Sequence, residues 1–94
     1  MTYRVEVSRS AVRAFERAPK AERIRLERAI DALSKNPRPP GKLVKAIQGR
    51  KDAFLRMRVG NYRLMYEVDD PNRVVLILGL IHRKDLEEWL RQRH

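Results

Sequence analysis

Residues 54–68 constrain the fold more than any other stretch of this 94-residue chain. Apolar and polar positions alternate through it, and Gly60-Asn61 divides it in two. Alternation is the period of a strand with one buried face. A Gly-Asn pair between two such runs predicts a two-residue hairpin turn. That turn fixes the register: Val59 opposite Tyr62, Arg58 opposite Arg63, Met57 opposite Leu64, Arg56 opposite Met65. Leu55, Met57, Val59, Tyr62, Leu64, Tyr66 and Val68 then share a face fit for packing, and Phe54, Arg56, Arg58 and Arg63 share the other. Like charges directly opposite one another destabilise a sheet. A local rule broken without structural gain points to a functional site. A phosphate between the two guanidinium groups turns the repulsion into a clamp. The competing reading is a solvated face neutralised by Glu67 or by acidic residues elsewhere.

The flanking elements follow from period and punctuation. Residues 3–7 alternate as a strand. Ser8 is a good N-cap for a short helix to about Ala18, and Pro19 fits the first turn of a second. Ile24, Leu26, Ala29, Ile30 and Leu33 form the apolar stripe of that second helix, which Asn36-Pro37 ends. Arg38-Pro39-Pro40-Gly41 is a loop. Residues 42–50 are ambiguous, fitting a short extended segment with a turn at Gly49. Asp69-Asp70-Pro71-Asn72 turns the chain into a third strand over 73–81, and 82–93 is a C-terminal helix or irregular tail. The expected fold is therefore α+β, one domain over 1–94 in the order β-α-α-β-β-β. Its antiparallel sheet carries a two-helix hairpin on one face and a C-terminal helical tail.

Charge says what kind of partner suits such a face. The chain carries 22 Lys and Arg against 12 Asp and Glu, a net charge of +10. Sixteen of the 22 are Arg, whose fork matches phosphate oxygens two at a time. That balance suits a polyanion, although an Arg-rich thermophilic surface gives the same composition. With no cysteine, disulfides and thiolate metal sites are excluded, and two histidines make a His-rich metal site a poor expectation. No stretch reaches the roughly 20 apolar residues of a membrane span, and the N-terminus lacks signal-peptide regions, so a cytoplasmic location is expected.

Continued alternation along the third strand puts Val75, Ile77, Gly79, Ile81 and Arg83 on one face, and if that is the Arg58 face Arg83 joins the cluster. Gly79 then either leaves room for a ligand backbone or marks a bulge. His82 is the side chain here that titrates near neutrality; it is a proton carrier or simply a surface histidine at a strand end. Metal-free phosphodiester cleavage needs a base, cations around the crowded phosphorus, and an acid for the leaving oxygen. In RNA the 2′-OH can be the attacker. An arginine cluster with one histidine is compatible with that chemistry, and equally with binding alone.

Three stretches carry a family resemblance: Asn36-Pro37-Arg38-Pro39 after a helix pair, residues 55–68 with their Arg-x-Arg-Val-Gly-Asn-Tyr-Arg core, and His82-Arg83-Lys84-Asp85. On these the chain resembles the RelE branch of the RelE/ParE toxin superfamily over nearly its whole length. The resemblance implies a metal-independent, cofactor-free endoribonuclease that cleaves mRNA in the ribosomal A site. It implies catalytic roles for Arg56 and Arg58 at basic, often Lys, positions, with Arg58 at the proposed base position. Arg63 is implied as transition-state stabiliser and Arg83 as leaving-group stabiliser or acid. Arg at both Lys-type positions departs from the family pattern, since Arg rarely gives up its proton. His82 is the candidate for the missing proton transfer. Trp89 falls near a family tyrosine that stacks on a substrate base; Phe54, on the arginine face by alternation, and Lys84, beside Arg83, are the other expected substrate contacts. The implied partner is an acidic or amphipathic RelB-like antitoxin, through which alone DNA is contacted. The alternatives are a ParE-like gyrase-inhibiting toxin, and a non-catalytic RNA or ribosome binder descended from a toxin.

Overall fold

A computed structural model describes residues 2–38 and 54–92, together with the backbone of 44–46. The elements are β1 (Arg4–Val7), α1 (Arg9–Arg17), α2 (Lys20–Lys35), β2 (Val44–Ala46), β3 (Leu55–Val59), β4 (Tyr62–Asp69) and β5 (Val74–His82). A 3-10 turn (Arg83–Asp85) leads into α3 (Leu86–Gln92). The expected turn at Gly49 lies outside the described residues. Ser8 caps α1 as its sequence position predicts, its Oγ accepting from the Ala11 N–H at 3.2 Å. Pro19 precedes the first turn of α2, and its carbonyl accepts the Arg23 N–H at 2.9 Å.

The sheet order is β1-β5-β4-β3-β2. The hairpin register expected around Gly60-Asn61 is the observed one, from Val59↔Tyr62 to Arg56↔Met65. The sheet is not antiparallel throughout, because β1 runs parallel to β5. Sequential-hairpin logic governs β2 to β5. It does not reach β1, which the helix pair separates from β2 and which takes the edge that β5 leaves open.

The core lies between the helix pair and one sheet face. Leu26 and Leu33 of α2 meet Met57, Leu64, Tyr66, Val75, Ile77 and Leu80. Leu55, Val59, Tyr62 and Val68 pack against the same cluster, so the predicted buried face is the buried face. Ile24, placed on the apolar stripe by spacing, is 42% exposed. It sits two residues from Leu26, about 200° round the helix.

The second correction lies in β5. Met65 pairs with Gly79 but Tyr66 pairs with Ile77, so Leu78 is an extra residue in β5, a β-bulge. Strict alternation fails there. Val75 and Ile77 face the helices, whereas Gly79 and Ile81 stand opposite Met65 and Arg63 on the other face.

Tyr66 is fully buried, and its hydroxyl donates to the Pro37 carbonyl at 2.7 Å. This bond ties the end of α2 to the middle of the sheet. Burial pushes the phenol up to about 12. An unfolded tyrosine ionises near 10, so above that pH the unfolded state gives up a proton that the folded state keeps. The phenol's stabilisation is complete below about pH 10 and is lost as pH rises towards 12. Tyr66→Phe should cost about 1 kcal/mol at pH 7, because the Pro37 carbonyl loses its donor. The variant should also show a shallower alkaline loss of stability than the parent in denaturant melts at pH 8 to 11. A curve parallel to the parent's would rule this out.

Candidate functional site

The arginine face is built by the β3–β4 turn and the end of β5. Gly60 has φ +58, and Asn61, the other central residue of the β3–β4 turn, does not take a positive φ. Positive φ at the first central position alone is the pattern of a type II′ turn, which glycine favours. The tight turn brings Arg58 and Arg63 into register as direct cross-strand neighbours. The Arg83 N–H donates to the Asn61 carbonyl at 2.7 Å, which pins the residue after β5 to this same turn.

Arg63 lies at the centre. Its Nη1 donates to the carbonyls of Tyr62 at 3.1 Å and Gly60 at 3.3 Å, so the guanidinium is held against the backbone. Its pKa is lowered from the ordinary arginine value, first by desolvation and then by the charges of Arg58, Arg56 and Arg83. Four cations therefore feel one another at one point. Among the described residues the ion pairs join Arg4 to Glu6, Lys35 to Asp31 and Arg38 to Asp70, and none involves the four arginines. Neutralisation by Glu67 is not what the geometry shows. Clustered guanidinium groups without carboxylates have the chemistry that an anion site needs, since such donors can stabilise charge that grows on a phosphoryl oxygen. Farther along the same face the sign reverses, where Glu6, Glu67 and Asp69 line a polar cleft with Arg4.

The other expected site residues part company with this cluster. His82 pairs in register with Tyr62, and their rings meet edge-to-face at 5.3 Å. Tyr62 belongs to the helix side, so His82 lies off the arginine face, on the side that alternation from Gly79 and Ile81 also gives it. Its Nδ1 accepts the Lys84 N–H at 3.3 Å. Lys84 itself is exposed in the 3-10 turn. Phe54 is 2% exposed and lies edge-to-face with Trp89 at 5.7 Å, so it supports another ring and does not present a surface to substrate. Trp89 is half-buried. A Cβ added at Gly79 would meet its indole atoms at 3.2 Å, so the opening expected at Gly79 is filled by Trp89 and not by a ligand. Arg38, from the Asn36-Pro37-Arg38 stretch, serves the fold. It donates to both oxygens of Asp70 at 3.1 Å, and Tyr3 donates to the same carboxylate at 2.7 Å. Those two donors, Arg38 foremost, hold the Asp70 carboxyl below the usual carboxylate range.

Sequence reasoning missed the apolar groove on the helix side. It holds about 230 Å³ between α1, α2 and the sheet, reaching from Val7 and Val12 at the mouth to Leu26 and Leu64 at the floor. The signal was Val12, an apolar residue on α1 that proves 42% exposed. Among the described residues no cluster of His, Asp and Glu is placed to hold a metal ion, and no helix is long and apolar enough to cross a membrane.

The crystal structure of an archaeal RelE–RelB complex from Pyrococcus horikoshii contains a chain 36% identical to this one. That match has a TM-score of 0.77 and covers 88% of this chain and 97% of that one. A family model described as the ParE toxin of type II toxin-antitoxin systems, parDE, matches residues 5–87. The chain belongs to the RelE/ParE toxin family. Its fold is also that of the toxin–antitoxin complex RelBE2 of Mycobacterium tuberculosis, where a chain 26% identical superposes with a TM-score of 0.75 over 88% of this toxin and 100% of that chain. A toxin named RelE1 in Methanocaldococcus jannaschii is 25% identical over 85 residues, 89% of this chain and 93% of the relative. This protein is thus a type II toxin, and the arginine cluster sits on a RelE scaffold.

Proposed function

We propose that this toxin cleaves mRNA on the ribosome, in the cytoplasm, without a metal ion. The observation that carries the reading is Arg58 directly opposite Arg63 at the turn to which Arg83 is bonded, with Arg56 on the same face and, among the described residues, no ion pair to any of the four. The substrate's 2′-oxygen bonds to the adjacent phosphorus, the bond from phosphorus to the 5′-oxygen breaks, and the 2′ proton ends on that 5′-oxygen. The products are a 2′,3′-cyclic phosphate and a 5′-hydroxyl. Arg56, Arg58 and Arg63 surround the non-bridging oxygens, and Arg83 lies at the turn where it stabilises the departing oxygen. Positive charge that is already in place needs no reorganisation as the phosphorane forms. Lys84, exposed in the turn that follows β5, and half-buried Trp89 of α3 are the substrate contacts in this reading, outside the cluster itself. Primer extension on ribosome-bound mRNA tests the proposal. Cuts bearing cyclic phosphate ends, formed in excess chelator, are the expected result. Ribosome binding without any cut would leave a non-catalytic binder. The family description as a ParE toxin favours a second reading, gyrase inhibition; supercoiling blocked with translation unaffected would establish it.

The partner in this reading is an acidic amphipathic antitoxin, since the relatives from P. horikoshii and M. tuberculosis are found in toxin–antitoxin complexes. Charge complementarity supports it twice. The arginine face attracts acidic side chains, and α1 carries Arg9, Arg13 and Arg17 at four-residue spacing beside the apolar groove. A helix or strap with an apolar stripe edged by carboxylates fits that groove. Val12→Asp at the groove mouth should weaken antitoxin binding at least tenfold in calorimetry and leave RNA binding unchanged. Equal affinity for the variant would place the antitoxin elsewhere.

A further inference from the structure

The bulge at Leu78 decides which residues of β5 reach the arginine face, and one side chain holds it. Ser8 follows β1 and lies beside the bulge. Its N–H donates to the Ile77 carbonyl at 2.9 Å, and its Oγ lies 2.8 Å from the Leu78 carbonyl. That oxygen can only accept, so the single hydroxyl proton of Ser8 goes to Leu78. The Ala11 N–H at 3.2 Å and the Ser10 hydroxyl at 3.3 Å then donate into the lone pairs of Ser8. The extra residue of a bulge is left outside the ladder, and here its carbonyl is taken up by Ser8.

Everything downstream depends on that extra residue. It moves Gly79 and Ile81 opposite Met65 and Arg63. Gly79 there accepts the indole of Trp89, which covers Phe54 and anchors α3. The strand then ends with Arg83 bonded to Asn61 and acting on the charge of Arg63. With unbroken alternation from Ile77, the next residues to face Arg63 would be Leu78, Leu80 and His82.

We infer that Ser8 is a positioning residue for the phosphate site: its hydroxyl locks the Leu78 bulge and so sets Gly79, Trp89 and Arg83 on the arginine face. The inference rests on the RNA-cleavage reading above. Its test separates the two roles of Ser8. Aspartate caps a helix as well as serine does but has no proton to donate to a carbonyl. Glycine caps nearly as well and has no hydroxyl. Ser8→Asp and Ser8→Gly thus keep the α1 cap and lose the lock, whereas Ser8→Thr keeps both.

Trp89 is the chain's single tryptophan, so its fluorescence reports the environment at Gly79 directly. Far-UV circular dichroism should show unchanged helix content in all three variants. Acrylamide quenching of Trp89 should rise in Ser8→Asp and Ser8→Gly and return to the parent level in Ser8→Thr. Turnover on ribosome-bound mRNA should fall about tenfold or more in the first two, in kcat more than in KM, and recover in the third. Folded Ser8→Asp and Ser8→Gly with parental quenching and parental kcat would overturn the inference. So would a loss of kcat with Trp89 unmoved, since the effect would not then pass through the bulge. If the parent protein cuts no RNA, the cleavage reading fails by itself, and the quenching comparison still decides whether Ser8 holds the bulge.

Discussion

Arg63→Ala should lower the rate of RNA cleavage about 10²- to 10³-fold without loss of fold stability. The size comes from removing a preorganised donor from the position where transition-state charge develops. Arg63 is the member of the cluster to remove. Two backbone carbonyls hold its guanidinium, and the charges of Arg58, Arg56 and Arg83 all act on it. The stability half of the expectation has the same origin. Partial desolvation, and after it three like charges, disfavour the charged Arg63 in the free protein, so its loss relieves repulsion between directly opposed strand positions. A group that costs the free fold something and stabilises the bound state is the signature of a site residue. The check is single-turnover cleavage beside a denaturant melt. Parental cleavage in Arg63→Ala sinks the transition-state role. A melt lowered by more than about 1 kcal/mol would mean that Arg63 serves the fold instead.

The hairpin was legible because two local signals agreed. The Gly60-Asn61 turn set the pairing, and alternation set the faces, so Arg58 opposite Arg63 could be read from residues alone. Ser8 as a cap and Asn36-Pro37 as a helix end were legible for the same reason, being local chemistry. The parallel β1–β5 pairing was not, since nothing in residues 4–7 says which distant edge they will meet. The bulge was half legible. Gly79 raised it, but a glycine in a strand does not say which neighbour is the extra residue, and the answer lies in a hydroxyl 70 positions away. That one residue explains why Val75 and Ile77 do not share a face with Gly79 and Ile81, because period-2 reasoning inverts every side chain across an uncounted insertion. Phe54 was placed on the correct side of the sheet, but its burial against Trp89 depends on α3 folding back, which no local pattern encodes.

RNA binding by this toxin should weaken about 50-fold between 50 and 200 mM monovalent salt. Each single-strand phosphate neutralised contributes a slope of about −0.7 in log K against log salt. The four clustered arginines, taking the scissile phosphate and its neighbours, give a slope near −3, and a fourfold rise in salt then costs about 50-fold. The slope also tells a site from a diffuse cloud of charge. The chain has 22 basic residues, and many of them, Arg9, Arg13 and Arg17 included, lie on the helix pair across the sheet from the cluster. If net charge alone attracted RNA, removing any of them would flatten the slope equally. If the arginine face is the contact, Arg83→Ala should reduce the slope by about 0.7 while Arg13→Ala leaves it unchanged. Fluorescence anisotropy of a short labelled RNA across that salt range reads all three proteins. Equal slopes for Arg83→Ala and Arg13→Ala would remove the cluster from RNA recognition, whatever its role in folding.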